Sequence, residues 1–243
     1  MERAKKLSET VVVSIFVNPT QFNDPADLEK YPRPLGQDIH LLTTRNIDVL
    51  FAPVDAEVYP PGLTFDVPVD ISTLTNVMEG PSRPGHFEGV ITVVKRLLDI
   101  VEPDYLIMGQ KDYQQQAIIG SMIEQLKMPI ELIIHPTLRD VDGLALSSRN
   151  TRIDPSLRQG ANSLYKALEK AKAMITTHQP REIIDACSQD ILQAGFKLEY
   201  FAIVDATTLQ KVHKWNGNAP AVACVAAWLG EVRLIDNMIL SVG

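Results

Sequence analysis

Only two cysteines occur in the 243 residues, Cys187 and Cys224, and they lie far apart. With no Cys-x-x-Cys pair and no Cys/His cluster, a structural zinc site has no support. Two reduced, buried thiols in a cytoplasmic protein are expected instead. No apolar run reaches the roughly 20 residues that a membrane span needs. The first residues, Met1 to Leu7, are charged and carry no apolar signal core. Positive charge is also in deficit. Lys plus Arg total 23 against 30 for Asp plus Glu, a net −7, so no basic stripe for nucleic acid or a membrane surface is expected. A small phosphate ligand held by a few local cations remains compatible with that balance. No G-x-S-x-G elbow, H-E-x-x-H helix, G-x-G-x-x-G turn or Walker A loop occurs, which leaves covalent serine, zincin, generic dinucleotide and P-loop readings without support. Of the histidines outside motifs, His40 falls in a helix candidate, His178 and His213 in polar stretches, and His135 ends a strand.

What is present is an alternation of strands and helices. Val11 to Val17 is a β-branched run, apolar on both faces, as in a strand covered on each side. Helical spacing over 35–45, a short strand over 49–53, a helix over 89–101, a strand over 105–109, a helix over 113–126 and a strand over 130–134 follow. The Pro- and Gly-rich stretch 55–85 is expected to hold small strands and a functional loop. Beyond about residue 150 the pattern changes. Asp154-Pro155 reads as the opening of a helix to about 176, Gln179-Pro180 as another to about 194, and three strands are expected over 199–204, 221–229 and 232–240. The expectation is an α/β fold with a Rossmann-like parallel sheet over residues 1–135 and a smaller α+β domain over 136–243. Ligands of such sheets sit beyond the carboxyl ends of the strands.

Four clusters fall where ligands could bind. Asn18 and Gln21 follow the first strand, and neutral amides suit a ligand carrying hydroxyls and a carboxylate, although Asn-Pro is also ordinary turn chemistry. Arg83, Gly85, His86 and Gly89 stand at a helix start that could receive an anion or simply be capped. Gly109, Gln110, Lys111 and Asp112 close a strand and open a helix. Backbone N–H groups, the helix dipole and Lys111 favour phosphate there, Asp112 could hold ribose hydroxyls, and Gln115 lies one turn on; the plain alternative is a charged helix cap. Ser147, Ser148 and Arg149 in a Gly-containing loop could clamp a polyphosphate or cap a linker helix.

Together these segments resemble the pantoate–β-alanine ligase (pantothenate synthetase) family. The matching stretches are FVNPTQF at 16–22, KYPR at 30–33, GHFEGVITVV at 85–94, GQKDYQQ at 109–115 and DGLALSSRN at 142–150, in the family's order and spacing. The resemblance implies a nucleotidyl-transferase type of fold, a small C-terminal domain that closes over the site, ATP and Mg²⁺, and a cytoplasmic homodimer. It implies an enzyme of pantothenate biosynthesis, on the way to coenzyme A, that ligates pantoate to β-alanine through a pantoyl adenylate. Gln21 and Gln115 would hold pantoate. Gly109, Gln110, Lys111 and Asp112 would bind ATP, with Leu138 at the adenine and Leu146, Ser147, Ser148 and Arg149 along the phosphates. Lys111, Ser147, Ser148 and Arg149 would support catalysis; Asn18, Tyr31, Arg83 and His86 would assist substrate binding.

The family's opening strand and its H-x-G-H loop, whose histidines grip ATP, have no counterpart in the sequence. Three readings compete: a truncated chain or misplaced start codon, a genuine short protein with impaired activity, or a binding module without catalysis. The first is favoured, with roughly 40 residues missing, about one strand–loop–helix unit, and reduced stability and activity expected. An adenylyltransferase with a phosphorylated acceptor is a further alternative, disfavoured because such an acceptor would call for cations where Gln21 and Gln115 stand.

Overall fold

The computed structural model describes residues 1–22, 28–29, 31–217 and 219–241. Lys30, the first residue of the KYPR motif, and Asn218 lie outside the described residues. The elements are α1 (Glu2–Leu7), β1 (Val12–Ser14), α2 (Leu35–Thr44), β2 (Val49–Phe51), α3 (Asp55–Val58), α4 (Ser72–Thr75), α5 (His86–Val101), β3 (Tyr105–Gly109), α6 (Tyr113–Gln125), β4 (Glu131–His135), α7 (Ser163–Met174), α8 (Pro180–Gln193), β5 (Lys197–Asp205), β6 (Ala221–Leu229) and β7 (Val232–Ser241). The fold class is α/β, with parallel strand pairs and a small antiparallel sheet towards the C-terminus.

The chain divides into two compact units. One holds Met1–Asp70, Arg83–Ile107 and Ile119–Ile133; the other holds Ile71–Ser82, Met108–Ile118 and Ile134–Gly243. The units are thus interleaved in sequence, and the division falls inside β3, α6 and β4.

In the first unit β1 pairs in parallel with β2, Val12 opposite Val49 and Ser14 opposite Phe51. The Val11 carbonyl accepts from Val49 N–H, and Asp48 Oδ2 accepts from Val11 N–H at 2.8 Å. β1 is shorter and less covered than the apolar run suggests. Val12 and Val13 are half-buried and Ser14 is exposed. β-Branched residues favour extended backbone, but Asn18-Pro19 turns the chain aside soon after. The longest helix, α5, buries Phe87, Val90, Ile91 and Leu98, the i, i+3, i+4 stripe of an amphipathic helix. It starts three residues earlier than the periodicity indicates, because Gly85 takes φ +78° and turns the chain into the helix at His86. Glu102 in the left-handed region closes it, its N–H bonded to Leu98 O, and Pro103 follows. The stretch 55–85 holds two short helices, α3 and α4, and no strand among the described residues. Pro60, Pro61 and Pro68 cannot donate to a ladder there.

β3 and β4 run parallel: Glu131 N–H donates to Asp104 O at 2.9 Å, and at the far end Gln110 N–H donates to His135 O at 2.8 Å.

The second unit is built on the antiparallel order β5-β6-β7. β6 is buried along its length except at Trp228, and its Ala221, Ala223 and Ala227 join the core that α7 and α8 complete. Leu164, Ala167, Leu168 and Ala171 of α7 and Ile183, Cys187 and Ile191 of α8 complete that core. The β6–β7 connection is a two-residue turn whose first residue, Gly230, takes φ +58°. The helix expected from Asp154-Pro155 begins only at Ser163. Asp154 Oδ1 instead accepts from Ser156 N–H and its hydroxyl, and the chain passes through a single 3₁₀ turn at Arg158–Gly160 before α7. Both cysteines are buried free thiols, and burial pushes Cys187 up to about 11 and Cys224 higher still.

Candidate active site

Two clusters of polar residues form, one in each unit. In the first unit Asn18 ends the segment after β1 and caps a 3₁₀ turn at Pro19–Gln21. Its side chain is 2% exposed and heavily committed. Nδ2 donates to Gly89 O at 3.1 Å and to Gln21 Oε1 at 3.4 Å, while Oδ1 accepts from the Thr20 hydroxyl at 3.0 Å and the Tyr59 hydroxyl at 2.9 Å. Burial raises the Tyr59 hydroxyl above its ordinary value, so it stays a donor. His86, 6% exposed in the first turn of α5, brings Nδ1 within 2.7 Å of Gln21 O. Gly89 is required at its position: a Cβ there would stand 2.7 Å from Thr20 O. Asn18, Gln21 and His86 therefore form one assembly, in which Asn18 and His86 brace Gln21. Tyr31 packs edge-on to Phe22, ring centroids 5.5 Å apart. Arg83 contributes its carbonyl, which accepts from His86 N–H at 3.1 Å.

In the second unit Gly109, Gln110, Lys111 and Asp112 connect β3 to α6. Asp112 O accepts from Gln116 N–H in the first turn of α6. Gln115, half-buried, lies in that turn beside Gln114. Gln114 is structural: Oε1 accepts from Glu79 N–H, and Nε2 donates to Leu74 O and Val77 O. Tyr113 donates its hydroxyl to Ala206 O, and burial pushes it up to about 12.

A hairpin over 139–145 follows β4, with Arg139 bridged to Ala145 and Leu146 N–H returning to Leu138 O. Gly143 at its tip takes φ +94°. Arg158 grips the hairpin by Asp140 at 2.7 Å and Asp142 at 2.6 Å. The guanidinium of Arg158, hydrogen-bonded to Asp142, holds that carboxyl below the ordinary carboxylate range. Ser147 then caps a 3₁₀ turn at Ser148–Arg152, its Oγ accepting from Arg149 N–H at 3.2 Å. Leu138 is 63% exposed, and Leu146 is also exposed.

Both segments are tied to β7 by residues that carry no motif. Asn237 bonds to the 109–112 loop and Asp236 to Arg139. Their only trace in the sequence is two polar residues interrupting an apolar strand, Leu234-Ile-Asp-Asn-Met-Ile-Leu240. Burial raises the Asp236 carboxyl above its usual range, against the pull of Arg139. Among the described residues no cluster of three or more His, Cys, Asp or Glu could hold a metal.

Parallel strand ladders and a strand-end loop that opens a helix place the chain among α/β folds, whose ligands sit beyond the carboxyl ends of the strands. Comparison with known proteins narrows the class. The family model of pantoate-beta-alanine ligase matches residues 1–239. Pantothenate synthetase of Bacteroides fragilis is 43% identical over 239 residues, covering 98% of this chain and 84% of that protein. Among solved structures, pantothenate synthetase from Thermus thermophilus superposes with a TM-score of 0.92 at 40% identity, over 98% of this chain and 86% of the other. The pantoate-beta-alanine ligase of Francisella tularensis, solved with β,γ-ATP and β-alanine, gives 0.79 at 37% identity, over 100% and 84%. The chain belongs to the pantoate–β-alanine ligase family. No helix among the described residues is long and apolar enough to cross a membrane.

Proposed function

We propose that this chain carries the ATP and pantoate sites of a pantoate–β-alanine ligase that works through a pantoyl adenylate. The observation that carries the reading is the Gly109–Asp112 loop, which leads a parallel strand into the N-terminus of α6 and is anchored by its backbone to β7. Residues 136–243 would act as the smaller lid domain. In the first step the pantoate carboxylate attacks the α-phosphorus of ATP and pyrophosphate leaves. In the second the β-alanine amine attacks the acyl carbon, loses a proton and displaces AMP. Both nucleophiles come from substrates, so the reaction requires no protein nucleophile.

Gln21, held by Asn18 and His86, and Gln115 suit the hydroxyls and carboxylate of pantoate. Tyr31 and Arg83 would assist. Gly109, Gln110 and Asp112 would meet ATP through backbone groups and a ribose contact, with Leu138 at the adenine. Lys111, Arg149, Ser147, Ser148 and the backbone after Leu146 would stabilise the charge that builds on phosphate oxygens. Mg²⁺ prefers waters and substrate phosphates to an all-protein cage, so it would arrive on ATP. The chain would act in the cytoplasm as a homodimer.

No H-x-G-H pattern occurs in residues 1–243. The test is AMP and pantothenate formation from pantoate, β-alanine and ATP, with and without a prepended strand–H-x-G-H segment, beside calorimetry of ATP and pantoate. Binding with little turnover, raised by the added segment, supports the reading. Absence of binding to both ligands overturns it.

A further inference from the structure

The 109–112 loop and the 139–149 segment are separated by α6 and β4 in sequence, yet both are anchored at one point of the C-terminal sheet. Asn237 is 2% exposed on β7, opposite Cys224 of β6. Its Nδ2 donates to Gln110 O at 3.0 Å and to Lys111 O at 2.8 Å, and its Oδ1 accepts from Gln110 Nε2 at 3.0 Å. The preceding residue, Asp236, is 5% exposed and receives Arg139 through both terminal nitrogens, at 2.6 and 3.0 Å. Arg139 also donates to Gly143 O and Asn237 O, and its guanidinium lies 4.3 Å from the centre of the Tyr165 ring. One dipeptide thus fixes the backbone that presents Lys111 and the base of the hairpin that leads to Ser147, Ser148 and Arg149.

The chemistry of the two side chains is specific. The carbonyls of Gln110 and Lys111 lie beyond the β3 ladder, and only a donor can satisfy them. An amide supplies two donors and one acceptor, whereas a carboxylate of the same shape would set negative charge against two carbonyl oxygens. At 236 the reverse holds, since a planar guanidinium needs a bidentate acceptor.

We infer that Asn237, with Asp236 beside it, is a positioning residue that holds the Lys111 loop and the Arg139 hairpin in register for one ligand, the triphosphate of a nucleotide. The choice of nucleotide rests on the proposed function; the ordering of the loop does not.

The test uses the full chain with Asn237→Asp, Asn237→Ala and, as a control of general loosening, Leu234→Ala in the same strand. Hydrogen exchange without ligand reads peptides covering 108–113, and calorimetry reads ATP affinity. In both Asn237 variants, folded by circular dichroism, exchange at 108–113 should rise and the ATP dissociation constant should increase about tenfold or more, as for buried hydrogen bonds left unmade. Leu234→Ala should lower the melting temperature without either change. Unchanged exchange at 108–113 in folded Asn237→Asp, or the same changes in Leu234→Ala, would overturn the inference. If the unsubstituted chain fails to bind ATP, the nucleotide reading falls, while the exchange result still decides the role of Asn237. If both Asn237 variants fail to fold while Leu234→Ala folds, Asn237 is an architectural residue and the inference is also overturned.

Discussion

Lys111 contributes a full charge just ahead of the N-terminus of α6, where the helix dipole already favours an anion. Charge-assisted contacts to phosphate are the strong ones, so Lys111→Ala should weaken ATP binding about tenfold or more by calorimetry, with the melting temperature little changed. Gly143 makes the opposite kind of demand. Its φ of +94° is costly for any other residue, and a Cβ would run into the Tyr165 ring against which Arg139 stacks. Gly143→Ala should cost about 1–3 kcal/mol or more in urea unfolding. The two requirements are not equally visible in the sequence. Lys111 stands in a motif whose residue types already suggest phosphate, whereas Gly143 reads only as a turn. Asn237 and Asp236 are harder still, because their partners lie about 100 residues or more away in sequence, at Gln110, Lys111 and Arg139.

At the scale of elements, the first turns of α5 act as a scaffold for Gln21 through His86 and the Gly89 carbonyl. Gly89→Ala would drive a methyl into Thr20 O and displace the Asn18–Gln21 turn. Pantoate affinity should fall severalfold alongside about 1–3 kcal/mol of stability, the usual cost of overpacking. The 139–145 hairpin carries a pH-dependent contribution. Asp142 is held below its ordinary pKa by Arg158, so its stabilisation is complete above about pH 4 and is lost as pH falls through the lower folded value. Asp142→Asn should therefore unfold at lower urea than its parent at pH 6, with the gap closing as pH falls towards 3. Helix positions were legible from apolar spacing, and so were the starts of α2, α6 and α8, but the starts of α5 and α7 were not. A backbone turn at Gly85 moves α5 earlier, and the Asp154–Ser156 turn moves α7 later.

Across the whole molecule, the core of the second unit is formed by α7 and α8 together with β5, β6 and β7. Leu168 is wholly buried in that core. Leu168→Ala should cost about 2–5 kcal/mol in denaturant unfolding, from lost transfer energy and the cavity left behind. The two compact units do not follow one cut in the chain, because Ile71–Ser82 and Met108–Ile118 pack with the C-terminal sheet. Glu79 shows why a segment so early in sequence belongs there. It is buried, accepts from both terminal nitrogens of Arg233 at 2.8 Å, and receives the Tyr200 hydroxyl at 2.6 Å.

By itself the sequence determined the alternation of strands and helices, the family and the identity of the candidate ligand groups. Those depend on local periodicity and on residue types gathered in short contiguous motifs. Only the tertiary structure decided that Asn18 and His86 brace Gln21, that Gln114 is committed to holding the backbone of 74–79, and that Asp236 and Asn237 anchor two distant loops. Such roles are set by which buried donors and acceptors meet once the chain has folded, and hydrogen-bond partners far apart in sequence leave no periodic or local mark on it.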